Sequence, residues 1–388
     1  MKVGITRFAY PEKRCITTSS EHDYINLRYF NIYEYAKRLP IIKKIAKDFV
    51  FYPLFKNRAD IYHSFNDICI TNKKWVVTFE TMVPRFLDLV NSHNQKNPEY
   101  KYNEIVNKYL KYISNQNCLG VVAISDCTRK IQEKLLQSFP EVESDINNKT
   151  YVIYPPQEVL VTKDNILKKQ YDNLKFIFVG NDFYRKGGGE IVLAVQELIL
   201  ENKISENDIQ ITLVGNIEAD NNYALGKFQD DENYRDSIKK IINERKNINL
   251  ISKIDNKKLL EIIKDHHVGI LVTWADTFGY SVLEFQACGC PVISTDVRAL
   301  PEINNADIGW LIGVRKNDLG EIIIDSFEQK NITRRNIIEK LKEIFLECIE
   351  NKNIIKEKAI RSLLRIESEH SINDYNRKIS EIYSKASS

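Results

Sequence analysis

The stretch "VGILVTWADTFGYSVLEFQACGCPVISTD" (268–296) decides the fold of the second half of the chain. It opens with a short apolar run typical of a buried strand, passes through a polar loop, and continues in a pattern that favours a helix. Gly289 falls where a helix C-terminus prefers glycine, and Pro291 begins the next apolar run. Strand, loop, helix and strand in this order predict a parallel sheet with crossover helices.

Two carboxylates border the same predicted loop. Asp276 follows the first strand, and Glu284 lies about one turn inside the helix. The free amides at the helix start, those of Gly279, Tyr280 and Ser281, suit an anionic group. A carboxylate placed behind such amides is a poor ligand for phosphate but a good acceptor for vicinal hydroxyls, which sugars and ribose present. The stretch therefore predicts a site for a ligand that carries both groups.

The same alternation of strands and helices continues through most of the chain. A length of 388 residues suits two domains. We expect an α/β protein of two doubly wound sheets, with a ligand cleft between the carboxyl ends of their strands. The domains are predicted at 1–160 and 174–368, with a polar, proline-led linker within 155–173 and a last helix, about 370–386, that packs back on the first domain. The predicted strands are "KVGIT", "WVVTFE", "GVVAIS" and "YVIYP", then "KFIFVG", "IQITLVG", "INLIS", "VGILVT", "PVIST" and "GWLI".

A glycine-rich loop follows the first strand of the second domain, in "FIFVGNDFYRKGGGEIVLAVQELI". The strand ends at Gly180, and a helix follows the three glycines that begin at Gly187. Glycines allow backbone amides to approach a ligand closely, and a helix N-terminus attracts anions. With Arg185 and Lys186 at its mouth, this loop suits a phosphate or pyrophosphate. A glycine-rich turn with two solvated cations explains the loop alone equally well.

The charge distribution, the cysteines and the hydropathy of the sequence indicate which general class of protein to expect. Residues 1–150 hold 23 Lys/Arg against 16 Asp/Glu, so the front of the chain is basic. The seven cysteines are odd in number and irregularly spaced, which indicates reduced structural thiols. No apolar run reaches the roughly 18 residues of a membrane span, and we expect a cytoplasmic protein. No D-x-D motif occurs, which removes the commonest way of recruiting a divalent ion.

These motifs resemble one family, the retaining, nucleotide-sugar-dependent glycosyltransferases of family 4, which have the two-domain GT-B fold. The family pattern E-x-F-G-x-x-x-x-E-A-x-A-x-G-x-P-V is similar to "DTFGYSVLEFQACGCPV", and V-G-x(n)-R-K-G is similar to "VGNDFYRKGG". "VRALPE" stands where the family has a Gly-Gly-x-x-Glu-like turn. The resemblance covers most of the chain and is weaker in the first domain.

The resemblance implies roles for individual residues. Arg185 and Lys186 would hold the diphosphate, Glu284 the ribose hydroxyls, and Asp276 the hydroxyls of the transferred sugar. The turn would bind the phosphates and sugar. The further candidates for substrate binding are Gly180, Gly187, Phe278, Gly279, Tyr280, Ser281 and His63. A lone histidine such as His63 is more often a hydrogen-bonded structural residue.

Three departures from the family pattern bear on chemistry. The first carboxylate, Asp276, is shorter than the usual glutamate, which leaves the donor sugar open. The first strand lacks the glycine pair common after it, so the acceptor loop of about residues 7–24 is built differently. "VVTFETMVP" has Glu80 and Thr81 where histidine and aspartate are usual, and Glu80 is a candidate catalytic residue that accepts a hydrogen bond from the acceptor hydroxyl or the sugar.

The sequence thus predicts a metal-independent glycosyltransferase without cofactors. It would move a sugar from a nucleoside diphosphate to a glycan or lipid-linked acceptor, by family habit in bacterial surface polysaccharide biosynthesis. A catalytically silent GT-B scaffold or binding subunit is the alternative, and a nucleic-acid partner is not expected. Residues 35–55, basic on one side and apolar on the other, suit either peripheral contact with the inner face of a membrane or a helix that covers the sheet.

Overall fold

Parallel strands and the helices between them make up most of the structure, a computed structural model that describes residues 1–31, 49–54, 57–91 and 95–386. The chain divides into two compact units, Met1–Pro156 with His370–Ser388, and Gln157–Glu369. Most of the predicted linker belongs to the second unit, because Ile166 and its apolar neighbours pack against Ala359 and Leu363.

The first unit is built on a six-stranded parallel sheet in the order β2-β1-β5-β7-β8-β9. It also contains a three-stranded sheet in the order β3-β4-β6. Its elements are β1 Lys2–Ile5, α1 Tyr10–Cys15, β2 Asp23–Asn26, β3 Tyr29–Phe30, β4 Val50–Pro53, β5 Ile61–Phe65, β6 Ile68–Cys69, β7 Trp75–Phe79, α2 Leu87–Asn91, α3 Glu104–Ser114, β8 Cys118–Ala123, α4 Asp126–Leu136, α5 Pro140–Asn147 and β9 Thr150–Val152.

The second unit is built on a six-stranded parallel sheet in the order β12-β11-β10-β13-β14-β15. Its central strands are almost wholly buried and apolar, as expected for a parallel sheet covered on both faces. Its elements are α6 Lys163–Lys168, β10 Leu174–Asp182, α7 Gly188–Leu200, β11 Ile209–Asn216, α8 Glu232–Glu244, β12 Ile248–Ile251, α9 Asn256–Lys264, β13 Val268–Leu271, α10 Tyr280–Ala287, β14 Val292–Thr295, α11 Leu300–Ile303, β15 Trp310–Ile312, α12 Phe327–Glu350 and α13 Lys352–Glu369.

The last helix, α14 (Ile372–Ser384), returns to the first unit. Its Tyr375 hydroxyl donates to the carbonyl of Cys15, and its buried Tyr383 is 2.6 Å from Nδ1 of His63. A Cβ on Gly120 of β8 would meet Ile382 at 2.8 Å, so the helix lies directly on the sheet. The helix at 370–386 therefore completes the core of the first unit.

The predicted α/β fold of two Rossmann-like sheets is confirmed, and all ten predicted strands are present as β1 and β7–β15. The sequence missed β2 and β5 of the first sheet for different reasons. β2 is a partly exposed edge strand, and β5 is fully buried although it carries a histidine and a serine. Polar side chains interrupt the apolar pattern of both strands, and that pattern is the main signal for a strand.

The segment 35–55, expected to contact a membrane or to cover the sheet, lies largely outside the described residues. Only 49–54 are described, and they include β4. Of the described helices, none has both the length and the apolar character required to span a membrane. None of the seven cysteines, all of which lie within the described residues, forms a disulfide, and six of them are buried, in keeping with reduced structural thiols.

Candidate functional site

The predicted ligand residues meet at the point where the strand order of the second sheet reverses. From β10 the chain continues on one side to β11 and β12, and on the other side to β13, β14 and β15. Crevices at the carboxyl ends of strands around such a switch point are where open α/β sheets bind ligands. Arg185 and Lys186 follow β10, and Asp276 follows the neighbouring strand β13.

Two helices begin at this edge, each after a glycine with positive φ. Gly187 (φ +94°) precedes α7, and Gly279 (φ +93°) precedes α10. A Cβ would lie 2.3 Å from the carbonyl oxygen of Val272 at the first position, and 2.5 Å from Leu300 at the second. Helices α3, α4, α8, α9, α12 and α14 instead begin with a side chain that accepts a bond from the first turn. A glycine offers no such acceptor, so amides of α7 and α10 remain able to bind an anion.

The charged side chains of the two loops are in direct contact. Lys186 Nζ donates to Asp276 Oδ2, and the backbone N–H of Thr277 donates to Oδ1 of the same carboxylate at 2.8 Å. Burial alone would raise the pKa of the Asp276 carboxyl, but Lys186 and Arg185 outweigh it, so the pKa lies below its ordinary value. Asp276 therefore stays ionised and able to accept hydrogen bonds.

Arg185 is fixed at the mouth of the same loop. Its Nη1 donates to the carbonyl of Ala275 at 2.5 Å, and its Nη2 donates to Asp182 at the end of β10. Its side chain is only 12% exposed. A guanidinium carries five N–H donors, so these two bonds still allow it to donate to a phosphate.

Glu284 lies one turn into α10, as predicted, and is 6% exposed. The helix ends in a Schellman motif, because the N–H of Gly289 donates to the carbonyl of Gln286 at 3.0 Å and the N–H of Cys290 to that of Phe285 at 2.9 Å. Tyr280 and Ser281, the first residues of the helix, are half-buried. The structure therefore has the two local features that the sequence predicted here: Glu284 one turn into the helix, and a helix end at Gly289.

Two candidate substrate-binding residues do not suit that role. Phe278 is completely buried, with its ring 5.1 Å from that of Tyr280, so its side chain belongs to the core. His63 is 1% exposed, and its ring nitrogens lie 2.6 Å from Tyr383 Oη and 2.8 Å from Thr78 Oγ1. Burial lowers its pKa to about 3, so it is a neutral structural residue. Gly180 contributes close packing, since a Cβ there would meet Lys186 at 2.6 Å.

Sequence reasoning missed Tyr223, an aromatic residue of this site. It begins a short 3-10 turn, Tyr223–Leu225, in the loop after β11, and its ring lies 5.2 Å from the guanidinium carbon of Arg185. The residue is 46% exposed, so its ring is accessible from solvent beside Arg185. The surrounding sequence, "EADNNYALGKF", is an ordinary polar loop, and no spacing in it marks the tyrosine.

The turn "VRALPE" departs from the glycine pair of the family pattern. Arg298 adopts φ +53°, a conformation that favours glycine, and its Nη1 donates to Glu321 Oε1 at 2.9 Å. Its backbone N–H also donates to the carbonyl of Gly320 at 2.8 Å. The ion pair and the backbone bond hold an unfavourable backbone conformation beside α11.

The first unit has its own polar cluster around Glu80, at the carboxyl edge of its sheet. Glu80 follows β7, and its carboxylate accepts from Arg85 and, at 3.3 Å, from Asn66 Nδ2. Its backbone N–H donates to Asn66 Oδ1 at 3.1 Å, and its carbonyl accepts from Thr128 at 3.1 Å. The side chain is 18% exposed, so Glu80 is fixed in place and still reaches the surface.

A second group in the first unit surrounds the loop after β1. Arg7 Nε donates to the fully buried Glu12 at 2.7 Å, and Thr6 Oγ1 is 3.4 Å from Asp67 Oδ2. The strand order reverses between β1 and β5, so this group lies at the switch point of the first sheet. The sequence singled out the loop of residues 7–24 but none of these side chains.

Within the described ranges, no group of three or more histidine, cysteine, aspartate or glutamate residues is arranged to hold a metal ion.

Two Rossmann-like sheets, with a glycine-rich loop at the switch point of the second, are the arrangement of the GT-B fold. Residues 162–344 match the sequence family described as glycosyl transferases group 1. The match covers a little under half of the chain and lies within the second unit.

Part of the chain is also similar in sequence to a curated glycosyltransferase. D-inositol 3-phosphate glycosyltransferase of Paenarthrobacter aurescens (strain TC1) is 24% identical over 159 residues, which are 40% of this chain and 36% of that protein. The match thus spans about a third of the length of this curated relative.

Solved structures match over almost the whole chain. HepE of Anabaena, crystallised in complex with UDP and glucose, has a TM-score of 0.60 at 12% identity and covers 99% of both chains. A glycosyltransferase from Rickettsia africae ESF-5 has a TM-score of 0.56 at 17% identity, over 94% of this chain and 85% of its own. Sucrose-phosphate synthase of Thermosynechococcus elongatus has 0.56 at 13%, over 99% and 88%. At these identities the likeness establishes the fold.

Proposed function

We propose that the protein is a glycosyltransferase that moves a sugar from a nucleoside diphosphate to a hydroxyl of a glycan or lipid-linked acceptor. One observation carries the proposal. Arg185, Lys186 and two glycine-started helix N-termini converge at the switch point of one parallel sheet, with the carboxylate of Asp276 between them. This arrangement suits a ligand that has phosphates at one end and hydroxyls at the other.

The proposed chemistry follows from the charge that develops on the leaving group. As the glycosidic bond breaks, the nucleoside diphosphate becomes more negative, and preorganised donors aimed at it stabilise the transition state. Arg185, Lys186 and the amides of α7 and α10 supply these donors. Asp276 would accept from hydroxyls of the transferred sugar, and Glu284 from the ribose.

Metal independence and retention at the anomeric carbon are further parts of the proposal. Two fixed cations beside the helix N-termini perform the charge neutralisation that a divalent ion supplies elsewhere. Retention rests on the resemblance to family 4, and so does the acceptor class, a bacterial surface polysaccharide or its lipid-linked precursor. The solved neighbour from Anabaena is described with UDP and glucose, which supports a sugar nucleotide as donor. We propose that the protein acts in the cytoplasm, with peripheral contact at the inner face of the membrane.

The test begins with binding. Calorimetry with UDP, GDP and ADP should show uptake of one of them by the wild-type protein, and that diphosphate should raise the thermal midpoint. Arg185→Ala and Lys186→Ala should each lower turnover of the matching sugar nucleotide by about 10²–10³-fold, since each removes one preorganised donor. Lys340→Ala, which removes a half-exposed lysine paired with Glu343 on α12, is the matched control and should retain wild-type turnover.

The outcomes separate the candidate functions. No uptake of any diphosphate, or wild-type turnover in both site variants, would contradict the proposal. Tight uptake with neither hydrolysis nor transfer of any sugar nucleotide would favour the silent GT-B scaffold. Activity that persists after chelation, and a product with the anomeric configuration of the donor by NMR, would support the metal-independent and retaining parts.

A further inference from the structure

A single buried cation, Arg334 on α12, joins three segments of the second unit. Its Nε donates to Glu190 Oε1 at 2.8 Å, and its Nη2 donates to Asp230 Oδ2 at 2.7 Å. The guanidinium carbon lies 4.2 Å from the ring centre of Tyr234 and 5.4 Å from that of Trp274. The Arg334 side chain is 12% exposed, and the Glu190 and Asp230 side chains are 2% and 8% exposed. This cation therefore has a fixed position.

Two of these partners, Glu190 and Trp274, lie next to the loop that carries Arg185. Glu190 lies in the first turn of α7, whose N-terminus forms one side of the proposed phosphate site. Trp274 follows β13, and its backbone N–H donates to the carbonyl of Arg185 at 2.8 Å. A guanidinium that holds both the helix start and Trp274 thus fixes the two sides of the loop that carries Arg185.

Asp230 is linked to Arg185 through the loop that carries Tyr223. Asp230 also accepts from Lys330 at 3.0 Å, and Lys330 donates to the carbonyl of Gln229 at 3.2 Å. The amide of Gln229 in turn donates to the carbonyl of Asn222, next to Tyr223, at 2.9 Å. Since the Tyr223 ring lies on Arg185, the contacts of Arg334 with Glu190, Trp274 and Asp230 all lead to one side chain.

We propose that Arg334 is a positioning residue for Arg185: it does not touch the donor but holds the guanidinium that binds the diphosphate. The inference rests on the proposed function, and it names the part of the second unit on which that site depends. A planar guanidinium is required, because its fork bonds two carboxylates while its face lies against two aromatic rings. A displacement of about 1 Å in such a support costs roughly 10²-fold in the supported chemistry.

A purely stabilising ion pair is the competing explanation, because removal of one partner of a buried pair lowers stability by itself. Two features of the chain allow the explanations to be separated. Arg335, the next residue on α12, is 54% exposed and pairs with Glu197 at 2.6 Å, so Arg335→Met is a matched control. Arg334→Lys keeps the positive charge beside Glu190 and Asp230 but lacks the fork.

The experiment is a double-mutant cycle on diphosphate affinity, measured by calorimetry with the diphosphate that the wild-type protein binds. Measurements are made at a temperature where circular dichroism shows each variant folded. We expect Arg334→Met and Arg334→Lys each to weaken binding by about 10–100-fold, and Arg335→Met by less than twofold. In an Arg185→Ala background, the loss caused by Arg334→Met should fall by at least half on a logarithmic scale, because the effect acts through Arg185.

The outcomes are distinguishable from those of the proposed function. Wild-type affinity in Arg334→Lys, or an equal loss from Arg334→Met with and without Arg185, would overturn the positioning role. One set of results overturns only this inference: the wild-type protein binds a diphosphate, Arg185→Ala weakens that binding, and Arg334→Met leaves it unchanged. If no diphosphate binds, or Arg185→Ala binds as well as wild type, the proposed function is overturned and this inference with it. Because Arg334→Lys avoids an unpaired buried charge, the cycle stays interpretable if Arg334→Met does not fold.

Discussion

The switch points of the two sheets have the same topology but are built by different means. In the second unit, glycines with positive φ start two helices, and the backbone itself presents the binding groups. In the first unit, side chains contact each other across the strand ends, as in the Thr6–Asp67 and Glu80–Asn66 pairs. A site made of backbone restricts its sequence to a few residue types, whereas a site made of side chains has many solutions. This difference explains why the second unit shows a motif and the first unit does not.

The strongest test of a backbone-built site is to add a single Cβ. In Gly187→Ala, the new atom would lie 2.3 Å from the carbonyl oxygen of Val272, at a φ that L-residues rarely adopt. We expect diphosphate affinity to fall by at least about 100-fold, and the free energy of unfolding by about 1–3 kcal/mol from backbone strain.

The matched control for that change is Gly313→Ala, where the nearest atom to an added Cβ is Asp296 Oδ2 at 3.9 Å. Its affinity should remain at the wild-type value. Calorimetry and thermal unfolding of both variants check the prediction, and an affinity within threefold of wild type in Gly187→Ala would show that the donor site tolerates sequence change as the first unit does.

A smaller effect is expected from the side-chain-built site. Glu80→Gln keeps the shape of the side chain but removes the charge that accepts from Arg85 and Asn66. If Glu80 accepts from the acceptor hydroxyl or the sugar, kcat should fall by about 100-fold, at the lower end of what a positioned acid or base contributes, while diphosphate affinity stays within twofold. Glu141→Gln, at a half-exposed residue paired with Lys111, serves as control. Unchanged kcat in Glu80→Gln would remove that residue from the active site.

The smallest effect concerns pH and the first unit alone. The pKa of His63 is about 3 when folded, against about 6.5 in an unfolded chain. Between these pH values the unfolded chain binds a proton that the folded unit does not. The contribution of neutral His63 to the free energy of unfolding is therefore fully present above pH 6.5 and is lost as the pH falls. The expected slope is at most about 1.4 kcal/mol per pH unit.

Urea denaturation from pH 4.5 to 7.5 should therefore give a shallower pH dependence in His63→Gln than in the wild-type protein. The remaining histidines are common to both proteins and cancel in the comparison. Equal slopes would mean that His63 is not held neutral in the folded protein.

The sequence predicts the second unit well because local patterns there coincide with the three-dimensional arrangement. Strand, glycine turn, helix and the Gly289 stop follow each other within 268–296 and place Asp276 and Glu284. The strand, loop and glycines of 174–189 place Arg185 and Lys186 in the same way. Phe278 shows the limit of such a pattern, because a motif position does not distinguish a backbone role from a side-chain role, and the structure places this side chain in the core.

What the sequence could not predict depends on contacts between distant residues. Arg334 meets Glu190 across 144 positions, and His63 meets Tyr383 across 320. Tyr223 reaches Arg185 from a polar loop that has no periodicity. β5 was missed because its buried His63 and Ser64 are satisfied by partners elsewhere, and a single sequence does not reveal these partners.

The return of α14 also determines the order in which the protein can assemble during translation. Tyr375 and Tyr383 fill the interior of the first unit, yet they leave the ribosome only after the whole of Gln157–Glu369 has been made. Until then the first unit lacks Tyr383, the partner of His63 Nδ1, and Tyr375, the partner of the Cys15 carbonyl. Domains made earlier on the ribosome usually fold earlier, but the first unit of this chain completes its core only after the second unit has been synthesised.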